Sequence, residues 1–163
     1  MEQNHKHVQQ RARQHHYISV QALCNNVLKQ MAAGDIKNTA ELLYTIKQQW
    51  KHIDINQFDV VYHYVTTMIA VMDESLKLYP AFPLKGQSFN HYIEGVYVAG
   101  QCAEGESLIE VWIFLTGSNE WKQRMLHKVM HLLEITYQME QWVLKGIDLT
   151  TGERFLRMKH ENK

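Results

Sequence analysis

Cysteine and proline are scarce in this sequence, which contains two residues of each among 163. Cys24 and Cys102 lie far apart and form no metal-type pair, so they build neither a disulfide framework nor a cysteine-based zinc motif. A cysteine content this low is typical of a reducing compartment, and we expect a cytoplasmic protein. Pro80 and Pro83 should end a helix and force an extended segment after it.

Long apolar runs are also missing. The longest covers residues 111–115, far short of the ~20 residues that cross a membrane. Residues 1–16 are polar and lack the apolar core of a secretory signal. We therefore expect no membrane contact, a flexible polar tail at 1–16, and a single globular domain at 17–163.

Neither sign of charge is in excess, because 17 basic and 17 acidic residues balance. Proteins that bind nucleic acid usually have a basic excess or a dense basic helix face, and the sequence indicates neither. Nucleic acid is therefore not an expected partner. The glycine-rich motifs that hold phosphates, G-x-x-x-x-G-K-[S/T] and G-x-G-x-x-G, do not occur.

The apolar pattern that is present predicts a mainly helical fold. Apolar residues recur at helical spacing in four segments, which predict a bundle of main helices at about 17–33, 39–52, 56–79 and 119–145. Asn38 and Ser118 precede the second and fourth helices as N-caps. Gly34 and Gly146 follow the first and fourth helices as stop signals.

Between the third and fourth helices the pattern is ambiguous. Segments 92–99 and 108–116 are rich in β-branched and aromatic residues, which favours a small β-hairpin at 91–116. A pair of short buried helices is nearly as consistent with runs of this length. A lone hairpin must pack on helices or gain a strand, and residues 147–149 and 154–158 could supply more strand. An α+β fold is therefore the alternative to the bundle.

Two of the predicted helices have more apolar surface than one neighbouring helix would cover. In the third helix, the apolar arc is centred on residues such as Val61, Val65 and Ile69, and it widens on one flank. The fourth helix widens in the same way. Surplus apolar flanks rimmed by polar groups are typical of dimers and of partner-binding proteins. The predicted partner-binding residues are these flanking ones: Tyr64, Val71, Met130, Tyr137 and Trp142.

Two groups of histidine and carboxylate residues have spacings that suit chemistry. His127, His131 and Glu134 would share one helix face, where they could ligate zinc. That face lies opposite the apolar stripe of the helix, which favours a solvated surface over a metal site in the bundle core. Asp59 and His63, one helical turn apart, could orient a general base, although no Ser or Cys nucleophile accompanies them. No cofactor is predicted, and zinc is retained only as an alternative.

The favoured function is non-enzymatic, because no catalytic motif accompanies the surplus apolar flanks. We expect a small cytoplasmic protein that acts through protein–protein contacts, as a regulator, adaptor, chaperone or immunity-like inhibitor. Its partner would be another protein or a second copy of itself in a homodimer. One alternative is a metal-binding or hydrolytic enzyme that uses a histidine–carboxylate group. The other is a nucleic-acid-associated regulator.

Overall fold

The computed structural model describes residues 2–84, 87–102 and 108–159, with side chains described at 17–84, 89–102 and 108–159. Its helices and strands are, in chain order, α1 (Glu2–Ala33), α2 (Thr39–Trp50), α3 (Val61–Leu78), β1 (Gln87–Ile93), β2 (Val96–Cys102), β3 (Ile109–Phe114), α4 (Asn119–His131), β4 (Trp142–Ile147) and β5 (Arg154–Lys159). Short 3-10 turns at Ile55–Gln57 and Tyr79–Ala81 flank α3, and a π-helical turn at Leu132–Thr136 continues α4.

The five strands form one mixed sheet in the order β1-β2-β3-β4-β5. Neighbouring strands are antiparallel except for β3 and β4, which are parallel. A parallel pair needs a long crossover connection, and α4 supplies it. Strands β1, β3 and β4 therefore all end at the same edge of the sheet, which we call the carboxyl edge.

Helices cover both faces of the sheet. Helices α1, α2 and α3 lie over one face, and α4 lies over the other. The side chains of β3 alternate between the two cores: Val111 and Ile113 pack under α4, whereas Trp112 and Phe114 pack under α1. Because both faces are buried, the strand reads as one continuous apolar run.

The predicted helical bundle with a small hairpin is wrong, because a five-stranded sheet occupies the centre of the molecule. The alternative, an α+β fold, fits the structure. Residues 154–158 do form strand within β5, and β4 ends at Ile147. The bundle prediction failed because short apolar runs do not separate a buried strand from a buried helix.

The predicted fourth helix is correct at its start and wrong beyond its middle. Ser118 caps α4 as expected, since its hydroxyl accepts a hydrogen bond from Trp121 N at 3.2 Å. The helix ends at His131, and after the π-helical turn Gln138 adopts a φ of 51°, which an α-helix cannot contain. Residues 142–147 then pair with β3, and this buried pairing outweighs their helical spacing.

The predicted hairpin at 91–116 missed one strand. Strands β2 and β3 do pair antiparallel, but β1 and β2 reverse direction at Glu94 and Gly95, inside a segment predicted as a single strand. These two residues have φ values of 47° and 82°. Two-residue hairpin turns commonly require positive φ, which glycine adopts without steric cost.

The remaining helix boundaries differ mainly at their starts. Helix α2 is confirmed together with its cap, because the Asn38 side chain accepts a hydrogen bond from Glu41 N at 2.8 Å. Helix α3 begins at Val61 rather than at 56, and α1 begins at Glu2, inside the segment predicted as a tail. None of the described helices combines the length and the apolar content that a membrane crossing requires.

Candidate functional site

Helix α3 exposes four large apolar side chains along one side. Tyr62 is 71% exposed, Val61 63%, Ile69 55% and Val65 40%. They occupy three successive turns, so they form a continuous stripe on the helix surface. We call these four residues the α3 apolar face.

An aromatic cluster sets the rotation of α3 about its axis. The Tyr64 ring lies 5.5 Å from the Trp50 ring and 5.4 Å from the Phe58 ring, measured between centroids. The Tyr64 hydroxyl also donates a hydrogen bond to the Trp50 carbonyl oxygen at 3.4 Å. Tyr64 therefore turns inward, Val71 is buried on the same side, and the α3 apolar face turns outward.

This orientation reverses the expectation from the sequence. Val65 and Ile69 were placed at the centre of the buried arc, whereas the structure exposes them. Tyr64 and Val71 were placed on its exposed flank, whereas they belong to the core or pack against it. An apolar arc this wide can be buried from either side, and only contacts with α2 and the preceding turn decide which side is covered.

The other predicted partner-binding residues divide between core and surface. Trp142 is buried and lies on β4 rather than on a helix, so its prediction as a surface residue is wrong, as is that of Val71. Met130 is half-buried against the core under α4. Tyr137 is exposed, with its ring 5.3 Å from the Phe89 ring.

The two ends of α3 differ in electrostatic character. At the start, no side chain caps the helix at Val60, so the first turn presents the positive end of the helix dipole. Near the other end, exposed Asp73 lies 3.3 Å from the Lys77 ammonium. Glu74 makes a 3.0 Å ion pair with Arg154, which ties α3 to β5.

The predicted metal and acid–base groups are not assembled as ligand sets. His127 and His131 are exposed on α4, and Glu134 lies in the π-helical turn after it. Among the residues with described side chains, 17–84, 89–102 and 108–159, no three His, Cys, Asp or Glu side chains are placed to hold a metal ion. Asp59 precedes α3 and only His63 lies on that helix, so they do not share the helical turn predicted for a general base.

A buried amide network joins α1 to the carboxyl edge of the sheet. Gln21 Oε1 accepts a hydrogen bond from Thr116 N at 2.9 Å, and Gln21 Nε2 donates to the Phe114 carbonyl oxygen at 2.7 Å. Asn25 Oδ1 accepts from Tyr97 N at 3.0 Å, and Asn25 Nδ2 donates at 2.6 Å to a carbonyl in the β1–β2 turn. At the carboxyl edge, these side chains thus form the hydrogen bonds that a neighbouring strand would otherwise supply to the backbone groups.

A cleft of about 510 Å³ opens beside this network, between the middle of α1 and the start of α4. Its apolar lining comes mainly from Tyr17, Ile18 and Trp121. Ligands often bind at the carboxyl edge of the strands in α/β proteins. Here Gln21 already serves the backbone of β3, so the cleft offers mainly apolar packing to a small molecule.

A buried ion pair links α4 to the β4–β5 turn. The Lys122 ammonium lies 2.7 Å from an Asp148 oxygen and 3.1 Å from a Glu153 oxygen. Burial lowers the pKa of Lys122, but its hydrogen bonds and the charges of both carboxylates outweigh burial, and its pKa is raised. Lys122 therefore stays protonated and acts as a clamp rather than as a base or nucleophile.

In comparisons with protein families, with curated proteins and with solved structures, no family model and no individual protein matched this chain.

Proposed function

We propose that this is a non-enzymatic cytoplasmic protein that acts through protein–protein contacts, and that the α3 apolar face is its contact surface. The main support for this proposal is the exposure of four large apolar side chains on one side of α3: Val61, Tyr62, Val65 and Ile69. Apolar patches rimmed by polar groups are a common feature of interaction sites. The partner we propose is a second copy of the chain, joined through the same face in a twofold dimer.

Charge complementarity supports self-pairing. In an antiparallel pair of α3 helices, Val61 of one copy lies near Asp73 of the other if the axis passes close to residue 67. The uncapped start of one helix would then face an exposed carboxylate of its partner, and the twofold axis repeats this contact. The chain also carries a formal net charge of +0, so two copies meet without net repulsion.

The size of the face suggests a modest affinity. Between Val61 and Ile69 the helix is about 12 Å long, at 1.5 Å per residue. One helix face of this length is smaller than the surface that permanent dimers bury. A dissociation constant on the order of micromolar is therefore expected.

Sedimentation equilibrium tests the proposal with Ile69→Glu and a matched control, Ile135→Glu. Ile69 is 55% exposed on α3 and Ile135 is 62% exposed after α4, so both substitutions place a charge at an exposed isoleucine. Wild type and Ile135→Glu should form dimers at concentrations of roughly 200 μM, whereas Ile69→Glu should weaken dimerisation at least about 10-fold.

A second matched pair uses tyrosines. Tyr62→Ser should weaken the dimer and Tyr44→Ser, on the exposed side of α2, should not. A wild-type chain that stays monomeric at about 200 μM would overturn the proposal. A dimer that all four variants retain would overturn it as well, since the contact would then lie elsewhere.

A further inference from the structure

The outer side of α4 carries a stripe of nitrogen-bearing side chains. Arg124, His127, Lys128 and His131 follow one another at spacings of three, one and three residues, which places all four on one face of the helix. The sequence had not indicated a basic helix face. The stripe becomes evident only when histidines are counted with Arg and Lys and when the helix is known to end at His131.

Strand β1 completes a groove along this stripe. His91 and the β1–β2 turn line one wall, and the four α4 side chains line the other. The groove has a volume of about 670 Å³ and is open to solvent. His91 is 36 residues from His127 in sequence, so only the packing of α4 on the sheet brings the two histidines into one groove.

Acidic side chains balance this groove only in part. Glu94 of the turn is hydrogen-bonded to Lys128, and Glu120 lies 3.7 Å from Arg124 in an exposed pair. The fork of five N–H donors on the Arg124 guanidinium exceeds what one carboxylate oxygen at that distance can use. The three histidines add further ring nitrogens that can donate hydrogen bonds.

We propose that this groove binds the phosphate group of a small phosphorylated molecule. Arginine matches the geometry of phosphate oxygens through paired N–H donors, and lysine adds a point charge. Histidine nitrogens on both walls can donate to the remaining oxygens. The groove volume lies within the range of pockets that hold ligands larger than inorganic phosphate.

Isothermal titration with inorganic pyrophosphate tests the proposal on the full chain. Wild-type protein should bind saturably with one site per chain, and Arg124→Gln should weaken binding at least about 10-fold through loss of a charge-assisted contact. Lys29→Gln is the matched control, because it removes one positive charge from an exposed position on α1, outside the groove. It should change the affinity less than about twofold.

A second variant, His131→Gln, removes another groove contact and serves if Arg124→Gln fails to fold.

Further ligands distinguish a small phosphorylated molecule from a nucleic acid. A nucleoside triphosphate should bind as well as pyrophosphate or better, whereas a single-stranded oligonucleotide should gain little over its terminal phosphates. No saturable binding of pyrophosphate at about 10 mM, or equal weakening by Lys29→Gln, would overturn the proposal. Binding of the oligonucleotide alone, with a steep salt dependence, would overturn it too.

Discussion

Asp148 uses both carboxylate oxygens inside the protein. One oxygen accepts hydrogen bonds from the backbone and hydroxyl of Thr150 at 2.9 and 2.6 Å, and the other binds the Lys122 ammonium. Both members of the ion pair are almost inaccessible to solvent. Because a buried charge without its partner is costly, this pair is a sensitive point in the structure.

Asp148→Asn should therefore destabilise the protein strongly. Loss of the carboxylate leaves buried Lys122 with Glu153 alone, and the expected loss is about 3–5 kcal/mol of unfolding free energy, measured by urea denaturation. The double variant Lys122→Met with Asp148→Asn should lose less, because no charge remains buried. Glu134→Gln, which removes an exposed carboxylate 3.8 Å from the Lys159 ammonium, should leave stability unchanged. Equal losses for Asp148→Asn and Glu134→Gln would contradict this account.

The buried thiol of Cys24 should make the stability of the protein decrease with pH in the alkaline range. Burial, reinforced by the nearby charge of Asp148, raises the pKa of this thiol far above its ordinary value of 9.0. The folded state keeps a proton that the unfolded state releases, so the contribution is complete below pH 9.0 and declines as pH rises further. From this group alone, the unfolding free energy should fall by about 1 kcal/mol between pH 9 and 10, and the slope should approach about 1.4 kcal/mol per pH unit at higher pH.

Denaturation at about pH 8, 9 and 10 would measure this decline, because these pH values lie on both sides of the ordinary pKa of a thiol. Cys24→Ala should be less stable at pH 8, because it leaves a cavity, but its stability should decline less between pH 9 and 10. An identical slope in both proteins would contradict a raised pKa of the Cys24 thiol in the folded state. Tyr97, whose pKa is also raised by burial and by Tyr92, adds to the decline only near its own ordinary value of 10.0.

At the scale of single elements, the pairing of the edge strand β1 with β2 depends on one close contact between a side chain of β1 and a glycine of β2. Phe89 lies directly opposite Gly100 in the antiparallel register. A Cβ atom added to Gly100 would lie 2.2 Å from two carbons of the Phe89 ring, so the ring occupies the space that any larger residue needs. Glycine is thus required here by the neighbouring strand rather than by its own backbone angles.

Gly100→Ala should loosen this strand pair. Overpacking of this kind typically costs about 1–3 kcal/mol, which thermal or urea denaturation would detect. Hydrogen exchange should quicken most at the amides of β1, since that strand lies at the sheet edge. The double variant Gly100→Ala with Phe89→Leu should recover part of the loss, because the smaller side chain leaves room. A double variant no more stable than Gly100→Ala would contradict the proposed clash.

The elements also show which parts of the fold were predictable. Helix α2 and the start of α4 followed from Asn38 and Ser118, because a capping side chain acts within its own turn. The prediction of β4 as helix was wrong, because the spacing of its apolar residues fits both a helix and a buried strand. Its partner strand β3 is also distant in the sequence, since Ile109 pairs with Trp142, 33 residues later. The surplus of apolar side chains on α3 was recognised, but their orientation was inverted.

At the scale of the whole molecule, self-association should appear as a concentration-dependent thermal stability. Partners that bind only the folded state raise the midpoint of unfolding by mass action. The midpoint of wild-type protein should rise by a few degrees between about 5 and 500 μM, and that of Ile69→Glu should be lower than that of wild type at each concentration at which wild type is dimeric. Differential scanning calorimetry provides the measurement, with Ile135→Glu as the control. A wild-type midpoint that does not change with concentration would contradict the dimer.

The candidate sites differ in how far they could be predicted. An exposed apolar surface on α3 was expected, but the residues that form it were not. The contacts between Tyr64 and α2 set the rotation of α3 about its axis, and the sequence of α3 alone does not contain them. His127 and His131 were correctly placed on an outward helix face. Their grouping with His91 was not foreseeable, since it depends on β1 lying beside α4 in space.

The sequence by itself determined local features: the α2 helix and its cap, the cap of α4, and an apolar surplus on α3. Each depends on residues within one or two helical turns, where side-chain and backbone chemistry acts directly. Only the tertiary structure decided that residues 142–147 are strand, that two faces of one sheet are covered, and that Val65 and Ile69 turn outward. These outcomes depend on pairing between distant segments, whose free energy comes from burial and strand hydrogen bonds that no local window contains.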